Sequence, residues 1–204
     1  MRRTAAAALA LALAAGIAGC GGRSAGGEEF APVENSVYIS GDGTVSSAFV
    51  ENYEKDYYTS DSLKAYLEEA IAGQYGDLDV TLEECSVQDG VMKAVFRYGS
   101  PEDLVSFLAD QKSGDLDIEE FQVETVEEGI SNGTLSGGML VSVSDGKQAD
   151  FQTLSRESDG YLVTVKGTAA IQAEGEILYV SEGVEMTDQT ARVAGGPAYL
   201  IIKK

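Results

Sequence analysis

The stretch 60-SDSLKAYLEEAIAGQYGDLDVTLEECSVQDGVMKAVFRY-98 carries two periodicities in succession, and the change from one to the other decides the class of fold. Leu63, Tyr66, Leu67, Ala70, Ile71 and Tyr75 recur at helical spacing, with Ser60 and Asp61 as N-cap candidates and Gly76 placed to close the helix. Lys64, Glu68 and Glu69 fall largely on the solvent face. The helical period then stops. Asp79–Val87 and Val91–Tyr98 read as strands joined through Asp89-Gly90, a pair suited to a tight hairpin.

Working outward, Val37–Ser40 and Val45–Val50 flank Gly41-Asp42-Gly43-Thr44 and read as an earlier hairpin. On the other side Ser100-Pro101-Glu102-Asp103 opens a second helix. Ser takes the N-cap, Pro the first turn and an acid the N3 position, while Leu104, Phe107 and Leu108 face the core. That helix ends near Asp110. The rest reads as β: Phe121–Val126, Met139–Ser144, Ala149–Leu154, Tyr161–Lys166, Ile177–Val180, Val184–Met186, Ala191–Val193 and Tyr199–Ile202. Turns are expected at Asn132-Gly133, Asp145-Gly146, Asp159-Gly160 and Gly195-Gly196-Pro197. The class is therefore α+β, an antiparallel β-rich domain with two helices in its N-terminal half. Residues 35–204 are expected to form one domain; the alternative is a division into two lobes near residues 127–137, where Gly129, Gly133, Gly137 and Gly138 cluster.

The first residues, MRRTAAAALALALAAGIAGC, follow another logic. Arg2 and Arg3 precede an apolar run from Ala5 to about Ala15, and small residues lead to Cys20. The run is too short to span a bilayer comfortably. Ile17-Ala18-Gly19-Cys20 resembles the lipobox of bacterial lipoproteins. That resemblance implies cleavage after Gly19, a diacylglycerol on the Cys20 thiol, further acylation such as palmitate, and a mature chain anchored to the extracytoplasmic face of the cell membrane. One buried chain holds a protein only marginally, whereas two or three on one residue hold firmly. Residues 20–34 read as a flexible tether, rich in Gly, Ser and Ala and reaching on the order of 20 Å. The body is similar to the short, acidic surface lipoproteins of clostridia-like bacteria, a likeness that implies no activity.

The formal charge of the 204-residue chain is −20. Without Arg2 and Arg3 the mature chain carries 12 basic against 34 acidic residues, or −22. A surface this acidic repels phosphates and anionic headgroups, which excludes nucleic acid as a partner. With Cys20 acylated, Cys85 has no disulfide partner, and the fold rests on its apolar core. The strand-like run around Cys85 predicts an inert, partly buried thiol.

There is no His, which removes Ser-His-Asp triads, Cys-His pairs and imidazole zinc sites. Ser144-Asp145-Gly146-Lys147 has the letters of S-x-x-K but straddles an expected turn, and S-D-N and K-T-G are missing. Asp115-x-Asp117-x-Glu119 fails the EF-hand pattern, since Glu120 and Val126 stand at its Gly and Glu positions. The pairs Glu68-Glu69, Glu83-Glu84, Glu119-Glu120 and Glu127-Glu128 suit glycosidase chemistry poorly, because neighbours on a strand point to opposite faces. Asn132-Gly133-Thr134 spells a glycosylation sequon and reads most simply as a turn. Tyr38, Phe49, Tyr53, Tyr57 and Tyr58 form an aromatic-rich stretch, of which Tyr38, Tyr53, Tyr57 and Tyr58 are the ligand-facing candidates; the plainer reading of such residues is core. No metal and no cofactor beyond the lipid is expected. The expectation for function is a non-enzymatic binding or interaction module acting on an envelope protein or glycan. The alternatives are a carboxylate-based hydrolase of envelope or dietary polymers and an accessory subunit of a transporter or secretion assembly.

Overall fold

The computed structural model describes residues 30–52, 59–111 and 113–204. In chain order the elements are β1 (Ser36–Ile39), β2 (Val45–Asn52), α1 (Ser60–Gln74), β3 (Val80–Gln88), β4 (Val91–Tyr98), α2 (Pro101–Gln111), β5 (Asp117–Thr125), α3 (Val126–Asn132), β6 (Leu140–Ser142), α4 (Phe151–Leu154), β7 (Tyr161–Ala173), β8 (Ile177–Ser181), β9 (Glu185–Thr187) and β10 (Thr190–Ile202). The fold is α+β and β-rich, built on one mixed sheet in the order β3-β4-β2-β1-β7-β10-β8-β6. β5 joins the edge of β7, and β9 joins β10. Every pairing between these strands is antiparallel except that of β1 with β7.

The long strands β7 and β10 are the spine. One edge of β7 is divided, because β5 pairs with its first part and β1 with Ile171–Ala173. Three irregularities coincide where the division falls. Gly167 takes φ +132°, a region that L side chains rarely enter. It pairs with Ile118 on one side, where β5 bulges before Glu120, and with Gly195 on the other, where β10 bulges before Pro197. Each bulge adds a residue and so reverses which positions face inward. In β10 the inward set passes from Ala191 and Val193 to Ala198, Leu200 and Ile202; in β5 it passes from Ile118 to Phe121. The bulges therefore keep apolar residues inside on both sides of the bend.

The main core lies between this sheet and α2. Leu104, Phe107 and Leu108 are buried, and the Phe107 ring meets Phe96, Tyr98 and Tyr75 at centroid distances of 5.0, 5.7 and 4.8 Å. Ser100 caps α2 as its chemistry requires, its Oγ accepting from Asp103 N at 3.2 Å. α1 lies over β3 with no fully buried residue, and only Leu67, Ile71 and Tyr75 reach the core partway. A second, smaller apolar cluster joins Val126, Leu135, Leu140, Ala149, Leu154, Leu162 and Ile201. Leu162 and Ile201 are ladder partners, and each points away from the main core that Val163 and Leu200 enter. α3 and α4 thus cover the reverse side of the β7–β10 ribbon.

Four local expectations are corrected. Ala149–Leu154 is not a strand: Asp150 caps Phe151–Leu154, its Oδ1 accepting from Thr153 N at 2.8 Å, and a 3-10 turn follows at Ser155–Glu157. The glycine-rich region after Thr125 begins with α3, opened by a capping box in which Thr125 and Glu128 exchange hydrogen bonds. The Gly195-Gly196-Pro197 turn is a bulge inside one continuous strand, because β7 runs alongside to supply the ladder on both sides of it. The cap of α1 is Thr59, whose side chain accepts from Ser62 N, and Tyr75 rather than Gly76 is its C-cap.

One buried polar pair gives a pH prediction. The Tyr98 and Ser47 hydroxyl oxygens are 2.6 Å apart, with Tyr98 only 2% exposed. Burial pushes the Tyr98 phenol well above the ordinary tyrosine range, a push only partly offset by the bond to Ser47. The folded state therefore holds a proton that the unfolded chain releases above about pH 10. The stability tied to it is complete below that pH and falls as pH rises toward the folded value. Urea unfolding between pH 9 and pH 11.5 should show wild type losing about 1.4 kcal/mol per pH unit more than Tyr98→Phe above the unfolded value. Equal slopes for the two proteins would sink the prediction.

Candidate functional site

A cleft of about 320 Å³ opens at the end of the sheet where β1, β7 and the β9–β10 turn come together. Its floor is Tyr38 from β1 beside Gln172 and Ala173 from β7; Tyr38 and Gln172 are direct partners in the parallel ladder. One wall is the turn Asp188-Gln189 and the following Thr190. Thr187 and Thr190 pair across this two-residue loop, which forces its first residue to positive φ, and Asp188 takes φ +53°. Asp tolerates that conformation better than most non-glycine residues. Phe30 and Ala31 supply a further wall. The Phe30 ring stacks on Tyr38 with centroids 4.5 Å apart and planes 18° from parallel.

The segment behind that wall is tied to the body. The Glu34 carboxylate accepts a two-pronged bond from the Arg192 guanidinium, at 2.6 and 3.0 Å. Asn35 Oδ1 accepts from Val50 N at 2.7 Å, and Asn35 Nδ2 donates to Ser113 Oγ at 3.3 Å. The Ser36 hydroxyl donates back to the Glu34 carbonyl at 3.2 Å.

Chemically, the cleft offers an aromatic surface, the amides of Gln172 and Gln189, the Thr190 hydroxyl and one carboxylate, Asp188. Groups of this kind can donate to and accept from hydroxyl or amide groups, beside the stacked Phe30 and Tyr38 rings. A glycosidase needs two carboxyl groups flanking one bond, and the described lining holds one.

Of the residues singled out in the sequence, Tyr38 lies in this cleft. Tyr53, Tyr57 and Tyr58, and the lipidation site Gly19-Cys20, lie outside the described residues. Cys85 is partly buried, with its thiol pushed up in pKa chiefly by burial and its Sγ 4.0 Å from the Ser60 carbonyl. Ser144 Oγ pairs with Ser142 Oγ at 2.9 Å, while Lys147 Nζ is held by Asp145 at 2.6 Å, so the S-x-x-K letters form a turn closed on itself. Glu119 is paired with Lys166 and Glu83 with Arg97. Among the described residues no three Asp, Glu, Cys or His side chains come close enough to hold a metal ion. Asn132 of the sequon donates to Glu124 Oε2 at 2.7 Å and accepts from Thr134 N at 2.9 Å, so its amide is already engaged. No described helix is long and apolar enough to cross a membrane.

Phe30, Gln172 and Asp188–Thr190 were not singled out in the sequence. Neither hydrophobic period nor turn chemistry marks them, since the β9–β10 turn contains no glycine and Phe30 stands within the tether-like composition. Compared with known proteins, the chain matches no family model, no curated protein and no solved structure.

Proposed function

We propose that this chain is a lipid-anchored extracytoplasmic module that binds an envelope ligand, protein or glycan, without transforming it. The anchoring part of the proposal rests on Arg2, Arg3, the apolar run and Ile17-Ala18-Gly19-Cys20. The binding part rests on one observation: the cleft at Tyr38, where aromatic, amide, hydroxyl and carboxylate groups converge at the root of the tether. A lining of this kind supplies recognition, and its single carboxylate has no acid–base partner in the described lining.

Two measurements test the proposal in its two parts. Cys20→Ala is expected to leave the protein unprocessed or to move it from the membrane to the soluble fraction; processed Cys20→Ala protein that stayed membrane-bound would refute the anchor. A photo-crosslinking residue at Gln189, activated in intact cells, is expected to capture one recurrent envelope partner. Tyr38→Ala should lower that yield about tenfold, the equivalent of about 1.4 kcal/mol of binding. An undiminished yield would place recognition elsewhere on the body.

A further inference from the structure

Of the three asparagines in the chain, only Asn132 precedes a glycine. An Asn-Gly pair carries its own nucleophile. The main-chain nitrogen of the glycine can close a five-membered ring on the Asn amide carbon, and no side chain shields it. Gly133 stands there for another reason: it is the C-cap of α3 at φ +84°, a left-handed position that favours glycine. The fold holds the pair unreactive. Asn132 is the last residue of α3, and the Gly133 N–H donates to the Ile130 carbonyl at 3.3 Å. The Asn132 side chain is held at both ends, donating to Glu124 Oε2 at 2.7 Å and accepting from Thr134 N at 2.9 Å. The Glu124 carboxylate depends on that bond in turn. Its Oε1 is buried with no hydrogen-bond partner, and it lies against α3 at Gly129, where an added Cβ would stand 3.4 Å from it.

We propose that Asn132 is a self-modification site, held in reserve by the bonds between α3 and Glu124, and that its conversion keeps α3 from closing again. The reaction needs only water. The Gly133 nitrogen bonds to Asn132 Cγ, the bond from Cγ to the side-chain nitrogen breaks, and the displaced proton leaves with that nitrogen as ammonia. Water then opens the cyclic imide at either carbonyl, leaving an aspartate or its isoaspartyl isomer. Nothing is oxidised or reduced. In the closed fold the Gly133 nitrogen and the Asn132 amide are both engaged, so conversion follows local opening of α3. Either product takes the amide donor from Glu124 and sets a second carboxylate beside one whose Oε1 is already buried and unpaired. The isoaspartyl form also lengthens the main chain just before Leu135. That residue is 2% exposed in the smaller apolar cluster, with its N–H donating to the Gly129 carbonyl at 2.8 Å. The change is therefore one-way, and it loosens the cover that α3 gives the reverse side of the β7–β10 ribbon. It stands apart from the reading of the Tyr38 cleft.

The test follows amide-to-acid conversion at Asn132 by peptide mass spectrometry, on the purified full chain in mildly alkaline buffer, with and without urea. Conversion in urea is expected to exceed that in the folded protein by about tenfold or more. Glu124→Ala, which removes a bond to a charged acceptor, should raise the folded rate about tenfold. Thr125→Ala removes the cap at the other end of α3 and leaves the Asn132 amide untouched; it should raise the rate about fivefold. Hydrogen exchange separates local from global opening, and in both variants the faster exchange should be confined to α3, with β7 and β10 as protected as in the parent. The one-way step is read from Asn132→Asp, which should speed exchange of the α3 amides about tenfold. Adding Glu124→Gln to that variant should reverse most of the effect, because the new amide donates to the new carboxylate. Equal conversion in the folded and urea-unfolded protein, or no acceleration in either Glu124→Ala or Thr125→Ala, would overturn the proposal. So would unchanged α3 exchange in Asn132→Asp.

Discussion

Gly167→Ala should cost about 3–5 kcal/mol of stability, placing it among the most damaging single substitutions in the chain. Two effects combine at this position. An L side chain at φ +132° carries backbone strain of about 1–2 kcal/mol or more. The added Cβ would also overlap the Asp117 carbonyl oxygen and crowd the Ile118 Cα, both backbone atoms that no rotamer change can move. Relief requires β5 to leave the ladder at the point where both bulges fix the inward registers of β5 and β10. Gly146→Ala is the control, since Gly146 also takes positive φ, at +68°, but has nothing within 4 Å of the added atom. It should cost only the backbone term, about 1 kcal/mol. Urea unfolding of the soluble domain measures both. A Gly167→Ala loss no larger than that of Gly146→Ala would mean that the bend does not depend on close approach of β5.

Leu162→Ala is expected to lose about 3 kcal/mol, within the 2–5 kcal/mol range of buried leucine truncations. Leu162 is fully buried and belongs to the smaller apolar cluster between the β7–β10 ribbon and α3–α4. It also has a specific counterpart, because a Cβ on the α3 residue Gly129 would overlap the Leu162 Cδ2 atom. Gly129→Ala alone should therefore be destabilising by overpacking, about 1–3 kcal/mol. In the Leu162→Ala background the same methyl enters the vacated space, so the double variant should be more stable than the sum of the single losses predicts. A double-mutant cycle by urea unfolding reads this coupling directly. Strict additivity would show that α3 does not seat its glycine on Leu162.

Elements whose signals are local were legible in the sequence. The α2 cap at Ser100-Pro101, its inward Leu104, Phe107 and Leu108, and the β3–β4 hairpin at Asp89-Gly90 depend on neighbours within a few residues, and the fold places them as expected. Two further local signals stand in the sequence. Thr125-x-x-Glu128 is a capping box, and Asp150 followed by Thr153 is a shorter cap. Both were obscured by surrounding β-like or glycine-rich residues. The candidate site was legible only at Tyr38. Phe30, Gln172 and Asp188 carry no pattern of their own, and they become a site because three distant segments meet.

The sequence by itself determined the α+β class, the helices over 60–74 and 101–111 to within a residue or two, most of the strands, and the acidic surface. These follow from side-chain periodicity, capping and charge, which act over short separations along the chain. Tertiary structure alone decided that β1 runs parallel to β7, that Gly195-Gly196-Pro197 bulges instead of turning, and that Phe30–Asn35 lies on the body instead of trailing from it. The physical reason is the same in each case. Those outcomes depend on which strand supplies the missing hydrogen bonds, and on which distant carboxylate or ring lies opposite, and partners so far apart in sequence leave no local mark.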